Sequence, residues 1–244
     1  MSAGGPTGAA TDPPLAAEGL HRFHRRGGTE VAALRDVSLT CGPGELVAVV
    51  GPSGSGKSTL LNLLAGLDDP DGGRVLVYGR AITRVGEARA AGLRARHVGI
   101  LTQHGALLGH LTVRQNVALA LALRARARRT RPDRRAADAL LDALGLASLR
   151  DALPRRLSGG ESARAGLAAA LAGTPDVLLA DEPTAELSSA EEADVLALLR
   201  AVRPANAATV LVTHSAAVAA GADRVLRLAG GRLTGGDPAV GRTV

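Results

Sequence analysis

The densest chemistry in this sequence lies in Gly51-Pro52-Ser53-Gly54-Ser55-Gly56-Lys57-Ser58-Thr59. The segment fits the spacing G-x-x-x-x-G-K-[ST], with an apolar strand-like run before it and a helical run after it. Glycines let the backbone wrap closely around a phosphate, so that amides and the following helix N-terminus face the anion. Lys57 then reaches the terminal phosphates of a nucleoside triphosphate and the Ser58 hydroxyl ligates Mg²⁺, while Gly51, Ser53, Gly54, Ser55, Gly56 and Thr59 form the cradle. Lys57 is the only lysine of the 244 residues; every other long cationic side chain is arginine. A lysine kept where arginine serves everywhere else marks a site that needs a compact ammonium on a flexible stem.

A second constellation is Val177-Leu178-Leu179-Ala180-Asp181-Glu182. The apolar run reads as a buried parallel strand with two acids at its C-terminal tip, where open α/β sheets bind ligands. There Asp181 can hold Mg²⁺ through water, and Glu182 can orient or deprotonate an attacking water. A third is Leu157-Ser158-Gly159-Gly160-Glu161, a serine and two glycines at the start of a helix, which is a ready anion site.

The elements that position these groups follow from periodicity. Val37–Leu39 and Leu46–Val50 read as strands around the turn Cys41-Gly42-Pro43-Gly44, Ser58–Leu67 as a helix and Arg74–Tyr78 as a strand. Thr112–Leu149 is helical with breaks at Pro132 and Gly145, and Glu161–Leu171 and Glu191–Val202 are further helices. Thr209–Thr213 is a buried strand, and Val225–Leu233 a hairpin about Gly230-Gly231. Strands alternating with helices predict an α/β fold with a mostly parallel sheet, and the stretch from Gln103 to Leu157 predicts an inserted helical subdomain.

Composition narrows the class. With 46% apolar residues the chain can bury a core, and its single cysteine, Cys41, excludes an internal disulfide and points to a reducing compartment. Residues 1–18, rich in Ala, Gly, Pro and Thr, are expected to be a disordered tail, as are residues 236–244. The apolar run Val117–Leu123 falls far short of the ~20 residues that span a bilayer, so membrane association is expected through a partner. The basic run Arg124–Arg135 lacks interleaved aromatics and is expected to be a solvated helix end and loop, with no nucleic-acid partner.

With its company, the segment Leu157–Glu161 resembles the signature motif of ABC ATPases, and the likeness runs in order from Gly19 to Leu233. It implies a P-loop NTPase core with an antiparallel β subdomain and a helical subdomain over about residues 104–165, within a domain of residues 19–235. It further implies an ATP-hydrolysing subunit that uses ATP and Mg²⁺ and pairs with a second ATP-binding subunit, most simply a copy of itself. Ser158, Gly159, Gly160 and Glu161 would then meet the nucleotide held by the opposite P-loop. The resemblance places adenine on Phe23, makes Gln103 a ligand of Mg²⁺ or of the lytic water, and makes His214 the switch that contacts the γ-phosphate. Leu107-Leu108, Leu111-Thr112-Val113 and Asn116-Val117 are similar to the lipoprotein-release, macrolide-export and cell-division branch. Such a subunit powers a separate permease, as an exporter or mechanical extrusion device, from the cytoplasmic face of the membrane. Two features depart from the pattern: Ala169 replaces a common arginine, and Ser188 replaces the D-loop aspartate that helps couple the two sites. The alternative is a degenerate ATP-binding regulatory subunit of a heterodimeric ABC complex, with little hydrolysis. A GTPase is excluded, because its guanine-reading Asn-Lys pair needs a lysine other than Lys57.

Overall fold

The computed structural model describes residues 12–26, 29–102, 107–185 and 187–235. Two sheets and a helical layer make up the architecture. The first sheet is antiparallel, with β1 (Leu15–Arg26) between β2 (Thr29–Cys41) and β4 (Gly72–Val77), and β5 (Arg80–Ala81) at the edge. The second contains β3 (Leu46–Val50), β6 (Val98–Leu101), β7 (Val177–Asp181), β8 (Ala208–Thr213), β9 (Arg224–Ala229) and β10 (Arg232–Thr234). Their order is β10-β9-β3-β8-β7-β6, parallel except for the β9–β10 hairpin. β3, β7 and β8 are buried along nearly their whole length, which is why they read as unbroken apolar runs rather than alternating ones.

The helix α1 (Lys57–Leu64) follows β3 and lies between the two sheets. Its Leu60, Leu61, Leu63 and Leu64 are buried in one core with Leu15, Leu20 and Leu34 of the antiparallel sheet. Each such leucine contributes roughly 1.5–3 kcal/mol of burial. The opposite face of the parallel sheet carries α3 (Val113–Arg128), α4 (Arg134–Ala143), α5 (Gly159–Leu171) and α6 (Ser189–Val202), packed into a second core around Leu141, Leu144, Leu167 and Leu178.

Several boundaries differ from the sequence expectation. β1 begins at Leu15, inside the stretch expected to be a disordered tail; Leu15 is buried and pairs with Cys41 across the sheet. The short strand expected at Val37–Leu39 is the end of a 13-residue strand, β2. The helix α2 (Glu87–His97) went unread because Ala90 is its only buried residue, so it shows no apolar stripe.

The basic run is not simply solvated. Arg124 and Arg128, one turn apart on α3, face the turn between α5 and β7. Arg124 donates from Nε to the Ala172 carbonyl at 2.9 Å and from Nη2 to the Val98 carbonyl at 3.0 Å. Arg128 donates to the carbonyls of Arg96, Gly173 and Thr174 and to Asp176 Oδ2, at 3.0–3.1 Å. Arg126, Arg129 and Arg131 are exposed, as expected. Two guanidiniums thus tie the helical layer to the parallel sheet.

Candidate active site

The parallel register brings the reactive segments together. Val50 pairs with Thr213 and Val212 with Asp181, so the C-terminal tips of β3, β8 and β7 lie side by side. From β3 the chain enters the Gly-rich loop, from β7 it runs into Asp181-Glu182, and from β8 into His214.

Close packing decides two loop glycines. A Cβ on Gly51 would stand 2.2 Å from the Leu228 carbonyl oxygen. Gly56 has φ 104°, in the region L side chains avoid, and a Cβ there would lie 2.5 Å from the Ala33 carbonyl oxygen. Lys57 is 9% exposed, and its Nζ donates to the carbonyls of Gly51 at 2.9 Å and Pro52 at 3.1 Å. The ammonium thereby closes the loop on itself and lies beside the cradle. Ser53, Gly54 and Ser58 face solvent, while Ser55 Oγ is buried without a hydrogen-bond partner among the described residues. Polar groups of this kind, around an N-terminus of α1, suit a phosphate chain.

Asp181 and Glu182 divide the acidic work. Burial raises the Asp181 carboxyl above its ordinary range, and the Glu182 charge adds to that; the Ser58 hydroxyl and the Lys57 charge pull it back. Asp181 Oδ1 is buried with no partner among the described residues. A half-buried carboxylate with a free oxygen beside a serine hydroxyl is a hard, oxygen-only donor set. Mg²⁺ is usually held this way, by one or two protein oxygens together with substrate phosphates. Glu182 has φ 46° and is fixed on three sides. Its amide donates to the Val212 carbonyl at 2.9 Å. Its Oε2 accepts from the His214 amide at 3.2 Å and lies 2.9 Å from His214 Nδ1. A carboxylate only accepts, so Nδ1 carries the proton in this pair. Oε1 makes no hydrogen bond among the described residues. His214 itself is largely exposed, whereas the Glu182 side chain is mostly covered.

The α5 N-terminus, expected from the sequence as an anion site, is well formed. Ser158 caps α5: its Oγ accepts from the Glu161 amide at 3.3 Å, and Glu161 Oε2 accepts from the Ser158 amide at 2.8 Å. Glu161 is therefore spent on the cap, while the Ser158 hydroxyl proton remains available to an incoming oxygen. Ser158 and Gly159 are exposed and Gly160 is buried.

These observations match a known family. Its profile, described as ABC transporter, matches residues 34–185. The chain belongs to the ABC transporter family. Its ATP-binding cassette is 40% identical over 230 residues to the lipoprotein-releasing system ATP-binding protein LolD of Chromohalobacter salexigens, covering 94% of this chain and 96% of that protein. It is 41% identical over 223 residues to the macrolide export ATP-binding/permease protein MacB of Sodalis glossinidius, covering 91% of this chain but spanning only 34% of that longer protein. Among solved structures, the dimeric ATP-binding cassette MJ0796 in a post-hydrolysis state with ADP and Pi superposes with a TM-score of 0.83 at 30% identity, over 90% of this chain and 96% of that one. The fold is that of an ABC ATPase, and the family activity is ATP hydrolysis.

Within this cassette, the surroundings of Phe23 and Ser188 are as follows. Phe23 lies within β1, 41% exposed, with its amide bonded to Asp71 Oδ2 at 2.7 Å. Consecutive strand residues point to opposite faces, and it is the neighbouring His24 that reaches α1, with Nε2 3.3 Å from Thr59 Oγ1. Ser188, in the D-loop aspartate's place, has its Oγ accepting from the Glu191 amide at 3.4 Å and caps α6 in a full capping box. Gln103 lies outside the described residues.

Proposed function

We propose that this cassette hydrolyses MgATP at the tips of β3, β7 and β8 to drive a separate membrane permease of the lipoprotein-release or macrolide-export type. The convergence of Gly51–Thr59, Asp181, Glu182 and His214 at three adjacent strand ends carries the reading. Lys57 exchanges its bonds to Gly51 and Pro52 for the β- and γ-phosphates. Ser58 and Asp181 would hold Mg²⁺, which would supply charge neutralisation to the phosphates. Glu182 Oε1 orients and deprotonates the attacking water, and His214 keeps Glu182 in place. His24, on the face of β1 turned to Thr59, is the side chain we assign to the adenine, in preference to Phe23. The Ser158 hydroxyl and the amides of Gly159 and Gly160 receive the γ-phosphate bound to a second copy, so that hydrolysis requires a dimer.

The permease side is supported by a groove of about 390 Å³ between α2, β6, α3 and α5, lined by Ile100, Leu108, Leu119 and Leu123. Three of these leucines are exposed large apolar residues, which suits a helical segment of a membrane subunit. Among the described residues no helix is long and apolar enough to cross a membrane, so anchoring at the cytoplasmic face is assigned to that partner. The intact set of Lys57, Asp181, Glu182 and His214 speaks for turnover rather than for a purely regulatory subunit. The test is a Glu182→Gln variant: it should bind MgATP, form dimers by size-exclusion chromatography at saturating ATP, and lose hydrolysis. Unchanged hydrolysis would remove the reading.

A further inference from the structure

An acid outside every motif sits against the reaction centre. Glu192, in the first turn of α6, accepts from Thr184 Oγ1 through Oε2 at 2.9 Å and from Ser215 Oγ through Oε1 at 2.8 Å. Thr184 lies two residues beyond Glu182, is only 4% exposed, and belongs to the loop leaving β7. Ser215 follows His214 directly, on the loop leaving β8. One carboxylate thus spans the two segments that carry Glu182 and His214. An acid in a first helical turn ordinarily serves the cap or the helix dipole. Here the cap belongs to Glu191, which bonds Ser188, while both Glu192 oxygens are turned away to other segments.

We propose that Glu192 is a positioning residue for hydrolysis, clamping the β7 and β8 exit loops so that the Glu182–His214 pair holds its geometry. This rests on the reading of Glu182 as the water-activating group. Glu182 already occupies a left-handed conformation, which persists only where its surroundings over-determine it. The Val212 and His214 bonds fix it to β8, and the clamp fixes the far side of the same loop through Thr184. Without Glu192 the buried Thr184 hydroxyl loses its acceptor, and the Ser215 hydroxyl keeps only its bond from the Val218 amide at 3.3 Å. A displacement of about 1 Å at a water-activating group is enough to cost on the order of 100-fold in rate.

The experiment compares Glu192→Ala, Glu192→Gln and Thr184→Val by steady-state ATP hydrolysis, by calorimetric titration with MgADP, and by thermal melting. Glu192→Ala should lower kcat roughly tenfold to 100-fold, with KM and the MgADP Kd held within about twofold. Glu192→Gln should keep most of the activity, because an amide can accept from one hydroxyl and donate to the other. Thr184→Val keeps the side-chain shape and removes one arm, so kcat should fall while MgADP affinity stays, and adding Glu192→Ala should cost less than the two separate effects combined. If Glu192→Ala fails to fold, Thr184→Val reads the same clamp. Wild-type kcat in Glu192→Ala or in Thr184→Val overturns the proposal. So does a loss in Glu192→Gln as deep as in Glu192→Ala, or a kcat loss matched by lost MgADP affinity. Full turnover in Glu182→Gln would instead refute the role of Glu182, a result distinct from any of these.

Discussion

Replacing Arg124 with methionine isolates what a buried guanidinium does for this fold. Arg124 is 6% exposed, and burial draws its pKa down to about 10, so it remains a cation at neutral pH. Its bonds to the Ala172 and Val98 carbonyls, at 2.9 and 3.0 Å, fasten α3 to the end of α5 and the start of β6. Each bond from a charged donor is worth about 1.5–3 kcal/mol, and each carbonyl left dry costs a similar amount. Against this, the substitution relieves a desolvated charge that sits near Arg128 and has an unpartnered Nη1. Methionine fills the stem volume, so no cavity adds to the loss. The net expectation is a destabilisation of about 2–4 kcal/mol. In a chain of this size that lowers Tm by roughly 4–16 °C. Arg124→Lys should lose nearly as much, because one ammonium at the end of a shorter reach cannot fork between two carbonyls. Urea unfolding followed by circular dichroism measures both. A methionine variant as stable as the parent would refute the reasoning, since the two bonds would then do no more than repay desolvation.

Three further outcomes are expected. Asp181 binds its proton more tightly when folded than when unfolded, so its contribution to the ligand-free chain is fully present below the unfolded value of about 3.9 and is lost as pH rises through the raised folded value. Asp181→Asn should therefore raise the urea midpoint at pH 7 and flatten its pH dependence while abolishing hydrolysis; a lower midpoint would contradict this. Gly56→Ala meets both a left-handed φ and the Ala33 carbonyl, so it should cost roughly 1–3 kcal/mol and eliminate calorimetrically detected nucleotide binding. Ser188→Ala removes the α6 cap and should cost about 1 kcal/mol, whereas Ser188→Asp should retain parental stability in the same unfolding assay.

The reactive segments were legible because their logic is local. Gly51–Ser58 specifies a strand-to-helix turn by its own residues, and an apolar run ending in Asp181-Glu182 or in His214 announces a buried strand tip. What depends on tertiary register was not legible. The resemblance pointed to Phe23, the only phenylalanine, but β1 has register shifts on both sides of Arg22, so which neighbour faces α1 cannot be counted from the sequence. Arg124 and Arg128 share a composition with the exposed Arg126 and Arg129; only the packing of α3 against the Gly173 turn separates them. Gly173 itself shows how tight that contact is, with a hypothetical Cβ 2.9 Å from Arg124 Cδ. Ser188 read as a missing aspartate because its role as a cap is expressed through Glu191, three residues on.

The solitary lysine has a practical consequence. Apart from the α-amino group, amine-directed reagents have one target in the whole subunit, and that target lies inside the phosphate cradle, 9% exposed and resting on Gly51 and Pro52. Side-chain acylation is therefore a single event that coincides with loss of the site, and the mass added beyond that on the α-amino group reports what fraction of subunits has been silenced. Bound nucleotide should shield that amine, turning a chemical label into an occupancy meter. The same fact leaves lysine-directed cross-linkers without a side-chain anchor on any outer face, so contacts with a neighbouring subunit have to be mapped through carboxylates or introduced cysteines.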